Sequence, residues 1–157
     1  MKLDFRENKT LKINNPIIRE IPLEELNSID KYVGMMKNYV EIKGFKIIGP
    51  LIQYSSGIKG LDKDNNPIIE NKIILQLHQS GIKVEEPYVT SDTLKIENCL
   101  FCRFNDTQDN LQYAISKITL FAYENDIKLT NESYIVLIEN KDNVILADVF
   151  MPIKKED

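Results

Sequence analysis

The segments KIENCLFCRF (residues 95–104), ESYIVLIEN (132–140) and VILADVFMPI (144–153) are rich in β-branched, aromatic and other apolar residues, which predicts three strands. Between the first two segments, apolar residues recur at spacings of three and four from about residue 107 to residue 124, which predicts a helix. This apolar stripe consists of Leu111, Ile115, Ile118 and Ala122. The second half of the chain is therefore predicted to fold as strand, helix, strand, strand.

The first half repeats this plan. Helix residues of the two halves pair at a constant offset of 82: Ile29 with Leu111, Val33 with Ile115, Met36 with Ile118, Tyr39 with Phe121, and Val40 with Ala122. The motif KIxN occurs at 12–15 and 95–98, and ENKIILQLHQ (70–79) matches the last strand at an offset near 72, which places Ile73 on Ile145 and Leu77 on Val149. We therefore predict a single domain, 1–157, of two repeats at about 8–79 and 94–155, with a link at about 80–93.

Turn-forming residues divide the first half into elements. Pro16 interrupts a strand predicted at 11–21, which confines that strand to an edge or a bulge. Pro22 opens the first helix and Gly44 ends it. Gly49 and Pro50 precede a strand at 51–55, and the glycines and charges of 57–66 predict a loop. The charged residues 1–10 predict either an extra edge strand or a loose arm.

These elements predict an α+β fold. Each strand–helix–strand–strand repeat covers one face of its small sheet with its helix and leaves the other face bare. Two repeats aligned edge to edge would form an antiparallel sheet with both helices on one face and a concave cleft on the other. Such a cleft is the natural place for a ligand.

Composition excludes several functional classes. With 43% hydrophobic and 28% charged residues, the chain has the balance of a globular protein, and its net charge of −4 argues against direct binding of nucleic acid. Apolar runs are shorter than the roughly 20 residues of a membrane span, and the N-terminus MKLDFRENKT lacks the apolar core of a signal peptide. We therefore expect a cytoplasmic protein without a membrane partner. We also expect no preceding helix–turn–helix, so that any role in transcription would need another chain.

Cys99 and Cys102 form a C-x-x-C spacing inside a predicted strand. A redox C-x-x-C begins a helix, and a zinc site needs further ligands, whereas the chain has no other cysteine and one histidine, His78. We interpret both thiols as buried small hydrophobic side chains. No metal and no cofactor are expected.

The last strand separates its residues onto two faces, because alternate side chains of a strand point in opposite directions. Ile145, Ala147, Val149 and Met151 form an apolar set that is expected to face the helix. Leu146, Asp148 and Phe150 would then face the open side. At the offset of 72, Gln76 is equivalent to Asp148 and His78 to Phe150, so these four side chains are predicted to cluster in the cleft.

The end of the chain resembles a known family. ADVFMPIKK (147–155) is similar to the closing strand of the GyrI-like small-molecule-binding superfamily, which also provides the effector-binding domains of bacterial multidrug-sensing transcription regulators. GPLIQY (49–54) resembles the family's Gly-Pro and Tyr after the first helix. The resemblance covers about residues 8–155 and lies in architecture more than in residue identity.

This resemblance implies a cleft that binds hydrophobic, often cationic or planar compounds. The family's acidic residue on the closing strand falls on Asp148, and its following aromatic residue falls on Phe150. The acid is usually Glu, so Asp148 is one methylene shorter, about 1.5 Å less in reach. Members include drug-sensing domains, gyrase-inhibiting or toxin-protecting proteins, and a hydrolase branch.

The leading hypothesis is a non-catalytic protein that binds a small amphipathic or cationic ligand through Asp148. Phe150, His78 and Gln76 would line the site, and Tyr54 and Tyr134 would supply hydroxyl donors. One alternative is a protein-interaction module, such as an accessory, antitoxin-like or inhibitor protein, using the concave sheet face or loop 57–66. A second alternative is a hydrolase in which Asp148 and His78 activate water, although no third orienting group is evident.

Overall fold

In the computed structural model, which describes residues 1–156, the chain forms eight strands, two α-helices and two short 3-10 helices. In chain order the elements are β1 (Lys2–Ile13), β2 (Pro16–Ile21), a 3-10 helix (Leu23–Ser28), α1 (Ile29–Ile42), β3 (Ile47–Leu61), β4 (Pro67–Leu77), β5 (Tyr88–Thr90), β6 (Leu94–Thr107), a second 3-10 helix (Gln108–Asn110), α2 (Gln112–Glu124), β7 (Ser133–Lys141) and β8 (Val144–Pro152). The predicted α+β class with antiparallel strands is confirmed. Within the described residues, no helix is long and apolar enough to cross a lipid bilayer.

The elements group into two compact units. The C-terminal unit comprises Met1–Leu11 together with the chain from Lys95 onward, and the N-terminal unit comprises Lys12–Leu94. The strand order is β1-β6-β8-β7 in the C-terminal unit and β3-β4-β2-β5 in the N-terminal unit. In each unit the last long strand, β8 or β4, is paired on both sides.

Each unit buries an apolar cluster between its α-helix and one face of its sheet, as predicted. In the C-terminal unit, buried residues of α2 pack on alternate residues of β6 and β8: Ala114, Ile118, Ala122, Leu100, Cys102, Phe104, Ile145, Ala147, Val149 and Met151. In the N-terminal unit, buried residues of α1 pack on β2 and β4, with one residue of β5: Tyr32, Met36, Val40, Ile17, Ile21, Ile73, Leu75, Leu77 and Tyr88.

The two units use equivalent positions. The three buried residues of α1 and of α2 pair at the offset of 82: Tyr32 with Ala114, Met36 with Ile118, and Val40 with Ala122. In the sheets, Pro16 pairs with Gln76 while Cys99 pairs with Pro152, which gives offsets of 83 (99 − 16) and 76 (152 − 76). These constant offsets support the predicted internal duplication, which stays a prediction.

The same registers correct the alignment of the last strand. Its offset is 76 and not 72, so Ile73 is equivalent to Val149 and Leu77 to Ile153. The sequence match failed because several apolar residues in a row match equally well at neighbouring even shifts. The six residues separating the offsets 82 and 76 belong to the β3–β4 hairpin of the N-terminal unit.

The KIxN motif has a backbone function in both units. Its asparagines, Asn15 and Asn98, adopt positive φ angles of 45° and 55°, a conformation that asparagine tolerates better than most residues. The Asn15 carbonyl accepts the Leu77 amide at 3.1 Å, and the Asn98 carbonyl accepts the Ile153 amide at 3.2 Å. The motif therefore redirects the chain just before β2 begins to pair with β4, and just before β6 begins to pair with β8.

Several predicted boundaries differ from the structure. The predicted loop 57–66 is wrong, because β3 continues to Leu61 opposite Pro67 of β4. Only 62–66 turn the chain, and the Asp62 carboxylate accepts the amides of Asp64 and Asn66 there. Residues 1–10 lie mostly in β1, residues 80–93 contain β5, and the first predicted helix starts with 3-10 geometry.

The equivalent buried helix positions lead to a stability prediction. Met36→Ala and Ile118→Ala should each lower the free energy of unfolding by about 2–5 kcal/mol, because both side chains are fully buried and leave a cavity. Tyr123→Ala, at a side chain that is 82% exposed, should change it by less than about 0.5 kcal/mol. Urea unfolding followed by circular dichroism measures all three. A cost below 1 kcal/mol at either buried position would contradict the packing.

Candidate functional site

Strand β8 places Asp148 on the sheet face opposite to α2. Its neighbours Ala147 and Val149 both belong to the cluster beneath the helix, whereas Asp148 does not. The Asp148 side chain is nevertheless only 11% exposed. A carboxylate that has lost most of its water needs a partner to stay ionised.

Arg103 of β6 is that partner. It lies directly opposite Asp148 in the β6–β8 ladder, and its Nε and Nη2 donate to the two carboxylate oxygens at 2.7 and 2.9 Å. This bidentate geometry is the strongest form of ion pair between these side chains. The hydrogen bonds and negative charge of Asp148 raise the pKa of Arg103 above its ordinary value. Sequence reasoning missed Arg103.

An aromatic row lies beside the ion pair. Phe150 of β8 is flanked by Phe101 of β6 and by Tyr134 of β7, one ladder step of two residues from Asp148. The rings of Phe101 and Phe150 meet edge to face with centroids 5.0 Å apart. They are 6% and 7% exposed, and neither belongs to the cluster beneath the helix. Lys9 Nζ lies 5.2 Å from the Phe101 ring centroid.

The C-terminal unit thus brings together three of the six predicted site residues, namely Asp148, Phe150 and Tyr134. They form a surface with an apolar aromatic row next to a carboxylate. Loss of water contacts raises the pKa of the Tyr134 hydroxyl to about 12, with a further contribution from Glu132, so the phenol stays protonated at physiological pH. Such a surface is suited to an apolar molecule with a cationic centre.

Tyr54 and Gln76 belong to the N-terminal unit. Tyr54 pairs across the β3–β4 ladder with Lys72, whose Nζ lies 5.6 Å from the tyrosine ring centroid. Gln76 has a structural role: its Oε1 accepts the Asn14 amide at 3.0 Å. A Cβ at Gly49, where φ is +78°, would lie 3.0 Å from the Gln76 Nε2, so glycine is needed at that position.

His78 lies just beyond the end of β4 and is exposed. Its backbone amide donates to the Lys46 carbonyl at 2.8 Å, and the equivalent Lys154 amide donates to the Lys128 carbonyl at 2.7 Å. By the offset of 76, His78 is therefore equivalent to Lys154 and Gln76 to Pro152. The predicted equivalences of His78 with Phe150 and of Gln76 with Asp148 are wrong. That these residues join Asp148 in one cleft stays a prediction.

The corrected register reveals a reversal of charge between the units. Arg103 opposite Asp148 in the C-terminal unit corresponds to Glu20 opposite Lys72 in the N-terminal unit. The N-terminal pair forms no equivalent bridge, because Lys72 bonds instead to Glu70 at 2.8 Å. The same ladder position therefore carries an anion on the central strand of one unit and a cation on that of the other.

The two cysteines of β6 are buried. Within residues 1–156, no group of three His, Cys, Asp or Glu side chains is arranged to hold a metal ion. Cys99 and Cys102 are free and fully buried. Burial raises the pKa of the Cys99 thiol to about 11 and raises that of Cys102 as well, so both thiols are protonated at neutral pH.

Cavities inside the units lie away from these residues. One of about 410 Å³ in the N-terminal unit is bordered by Asn15, Leu77, Gln79 and the segment 90–92. Another of about 400 Å³ in the C-terminal unit is bordered by residues 126–128 and 153–156. Neither of these two cavities is lined by Asp148, Phe150 or Tyr134.

Comparisons with known proteins identify the fold. A scan against protein-family models finds no match, and a search of curated proteins finds none. Among solved structures, EcmrR in a complex with DNA matches with a TM-score of 0.69 and 13% identity; the match covers 97% of this chain and 58% of the EcmrR chain. SAV2435 bound to tetraphenylphosphonium matches with a TM-score of 0.52 and 8% identity, covering 98% of this chain and 94% of SAV2435.

A hydrolase from Listeria innocua also matches, with a TM-score of 0.54, 6% identity, and coverage of 98% of this chain and 92% of the hydrolase. Because the sequence identities are this low, the structural matches demonstrate a shared fold and nothing more. The chain spans a little over half the length of EcmrR.

The buried thiols lead to a labelling prediction. Ellman's reagent at pH 8 should modify neither cysteine of the native protein within minutes, because burial excludes the reagent and about one Cys99 thiol in a thousand is ionised. In 6 M guanidinium chloride both thiols should react. Rapid stoichiometric labelling of the native protein would show that β6 opens readily.

Tyr134 leads to a pH prediction. The folded state holds the phenol proton up to about pH 12, whereas the unfolded state releases it near the ordinary pKa of about 10. This stabilisation is complete below pH 10 and is lost as the pH rises towards 12. Tyr134→Phe should therefore make the free energy of unfolding fall less steeply above pH 10 in urea titrations, whereas Tyr123→Phe, at an exposed ring, should leave the slope unchanged. Equal slopes for all three proteins would contradict the burial of Tyr134.

Proposed function

We propose that the protein is a non-catalytic binding protein for a small amphipathic cation, of the GyrI-like kind, and that Asp148 anchors the cationic centre. The observation that carries this proposal is the buried Asp148, with a side chain only 11% exposed, beside the edge-to-face rings of Phe101 and Phe150. Electrostatic attraction is stronger at such a desolvated carboxylate than at a solvated one. Aromatic faces add about 0.5–2 kcal/mol of attraction for a cation.

The structural neighbours favour the same class of function. SAV2435, whose structure contains the lipophilic cation tetraphenylphosphonium, matches over almost the whole length of both chains. EcmrR, solved with DNA, is longer than this chain, so a link to transcription would rest on parts of EcmrR outside the match. The acidic residue and following aromatic residue of the GyrI-like closing strand coincide with Asp148 and Phe150.

Protein interaction is the second candidate, and the β3–β4 hairpin favours it. Ile58, Leu61 and Ile68 are exposed near the hairpin tip. The segment 57–66, predicted as a loop, is therefore mostly a β-hairpin, but it still offers an exposed apolar surface to a partner. The β7–β8 hairpin of the C-terminal unit has instead a short turn at Asp142 and Asn143, both with positive φ. The extra hairpin length of the N-terminal unit therefore exposes three large apolar side chains near its tip.

Hydrolysis is less well supported. A carboxylate acting as general base must have an oxygen available to a water molecule. Both oxygens of Asp148 already accept hydrogen bonds from Arg103, and His78 is exposed beyond the end of β4. The fold shared with a hydrolase does not change this, because one fold serves many functions.

Calorimetric titration with tetraphenylphosphonium tests the proposal. Asp148→Asn keeps the shape of the side chain and removes its charge, so it should weaken binding by about tenfold or more, which corresponds to about 1.4 kcal/mol. Triphenylphosphine oxide, a neutral aromatic compound, should bind the wild type and the variant alike. Equal affinity of both proteins for the cation would remove Asp148 as the anchor and leave the hairpin surface as the better candidate.

A further inference from the structure

The bidentate pair poses a problem for any cationic ligand of Asp148. Both carboxylate oxygens are occupied by Arg103, and the carboxylate is almost closed to solvent. Each oxygen keeps a second lone pair, but a ligand cation can occupy the position in front of the carboxylate only if the guanidinium leaves. Of the two side chains, Arg103 is the one with room to move, because it is 48% exposed. Asp148 lies on β8, which is paired on both sides.

Arg103 has a second acidic residue on the neighbouring strand. Asp4 belongs to β1, the strand next to β6, and its neighbours Leu3 and Phe5 pack against the helix cluster. Asp4 therefore faces the same side of the sheet as Arg103, and its charge contributes to the raised pKa of the guanidinium. The Asp4 carboxylate accepts two long hydrogen bonds from the exposed Arg6, at 3.2 and 3.4 Å, and solvent weakens an ion pair at such an exposed position.

The fold itself does not require the Arg103–Asp148 pair. At the equivalent ladder position of the N-terminal unit, Glu20 is exposed and Lys72 takes Glu70 as its partner. That unit forms the same ladder and the same helix-facing cluster without a bidentate bridge. Buried ion pairs also contribute little net stability compared with apolar residues of the same volume.

From these observations we propose that Arg103 is an intramolecular competitor that occupies Asp148 in the empty protein and moves towards Asp4 when a cationic ligand takes its place. This inference rests on the proposed function. It makes Arg103 a specificity-determining residue. A cation must interact with Asp148 more favourably than the bidentate guanidinium does, so weakly interacting cations are excluded.

Titration of variants with tetraphenylphosphonium tests the displacement. Arg103→Gln removes the competitor and should tighten binding by about tenfold, because all of the protein is then competent to bind. Asp4→Asn removes the second position of the guanidinium and should weaken binding by about threefold. Lys117→Gln removes one positive charge from the far side of α2 and should leave the affinity within about twofold, which controls for net charge.

Two further measurements keep the outcomes separable. Because Arg103→Gln leaves a buried carboxylate unpaired, the folding of this variant is checked by circular dichroism. Arg103→Lys is a second variant, which keeps the positive charge but cannot form the bidentate hydrogen bonds. Arg103→Lys should bind the cation more tightly than wild type and more weakly than Arg103→Gln. Weaker binding by both Arg103 variants, with Asp148→Asn also weakened, would overturn the displacement while leaving the anchor intact. Binding of tetraphenylphosphonium that is equal in wild type and Asp148→Asn would overturn the proposed function itself.

Discussion

The alternation of side chains along β8 determines the chemistry of the C-terminal unit. Ala147 and Val149 must face α2 because the helix buries an apolar stripe, and this sends Asp148 to the opposite face. A slip of one residue in the β6–β8 register would bring the carboxylate beneath the helix and expose the apolar set. The same register places Arg103 opposite Asp148 and Phe101 opposite Phe150. One pairing therefore fixes the core, the ion pair and the aromatic row together.

The two units show how one ladder can carry different chemistry. Their helix positions, their turn asparagines and their strand pairings coincide at constant offsets, and these are the positions that packing constrains. On the sheet face away from the helix the charges are reversed, with Asp148 in one unit and Lys72 in the other. A duplicated chain would diverge in this way if the core were kept for stability and the opposite face changed for function. The difference in hairpin length points in the same direction.

Local periodicity explains which features the sequence could predict. The helix stripes and the two faces of β8 follow from spacings of three to four and of two residues, which are properties of a short segment alone. Arg103 could not be assigned to Asp148, because a cross-strand pair depends on a register between segments 45 residues apart. The offset of 72 failed for the same reason, since the apolar run of β4 matches β8 at several even shifts. The loop prediction at 57–66 is wrong because Gly57 and Gly60 are typical of turns, whereas β3 accommodates them beside shifts in its register with β4.

The division between rigid and mobile parts of this surface has a consequence for recognition. Asp148 and Phe150 belong to a strand paired on both sides, so their backbone positions are held by two ladders of hydrogen bonds. The part free to respond is the long, half-exposed side chain of Arg103, which can rotate without disturbing either ladder. A ligand could then be admitted by the rearrangement of one side chain at little backbone cost. Under the proposed displacement, selectivity would depend on how favourably a cation replaces the guanidinium in front of the carboxylate.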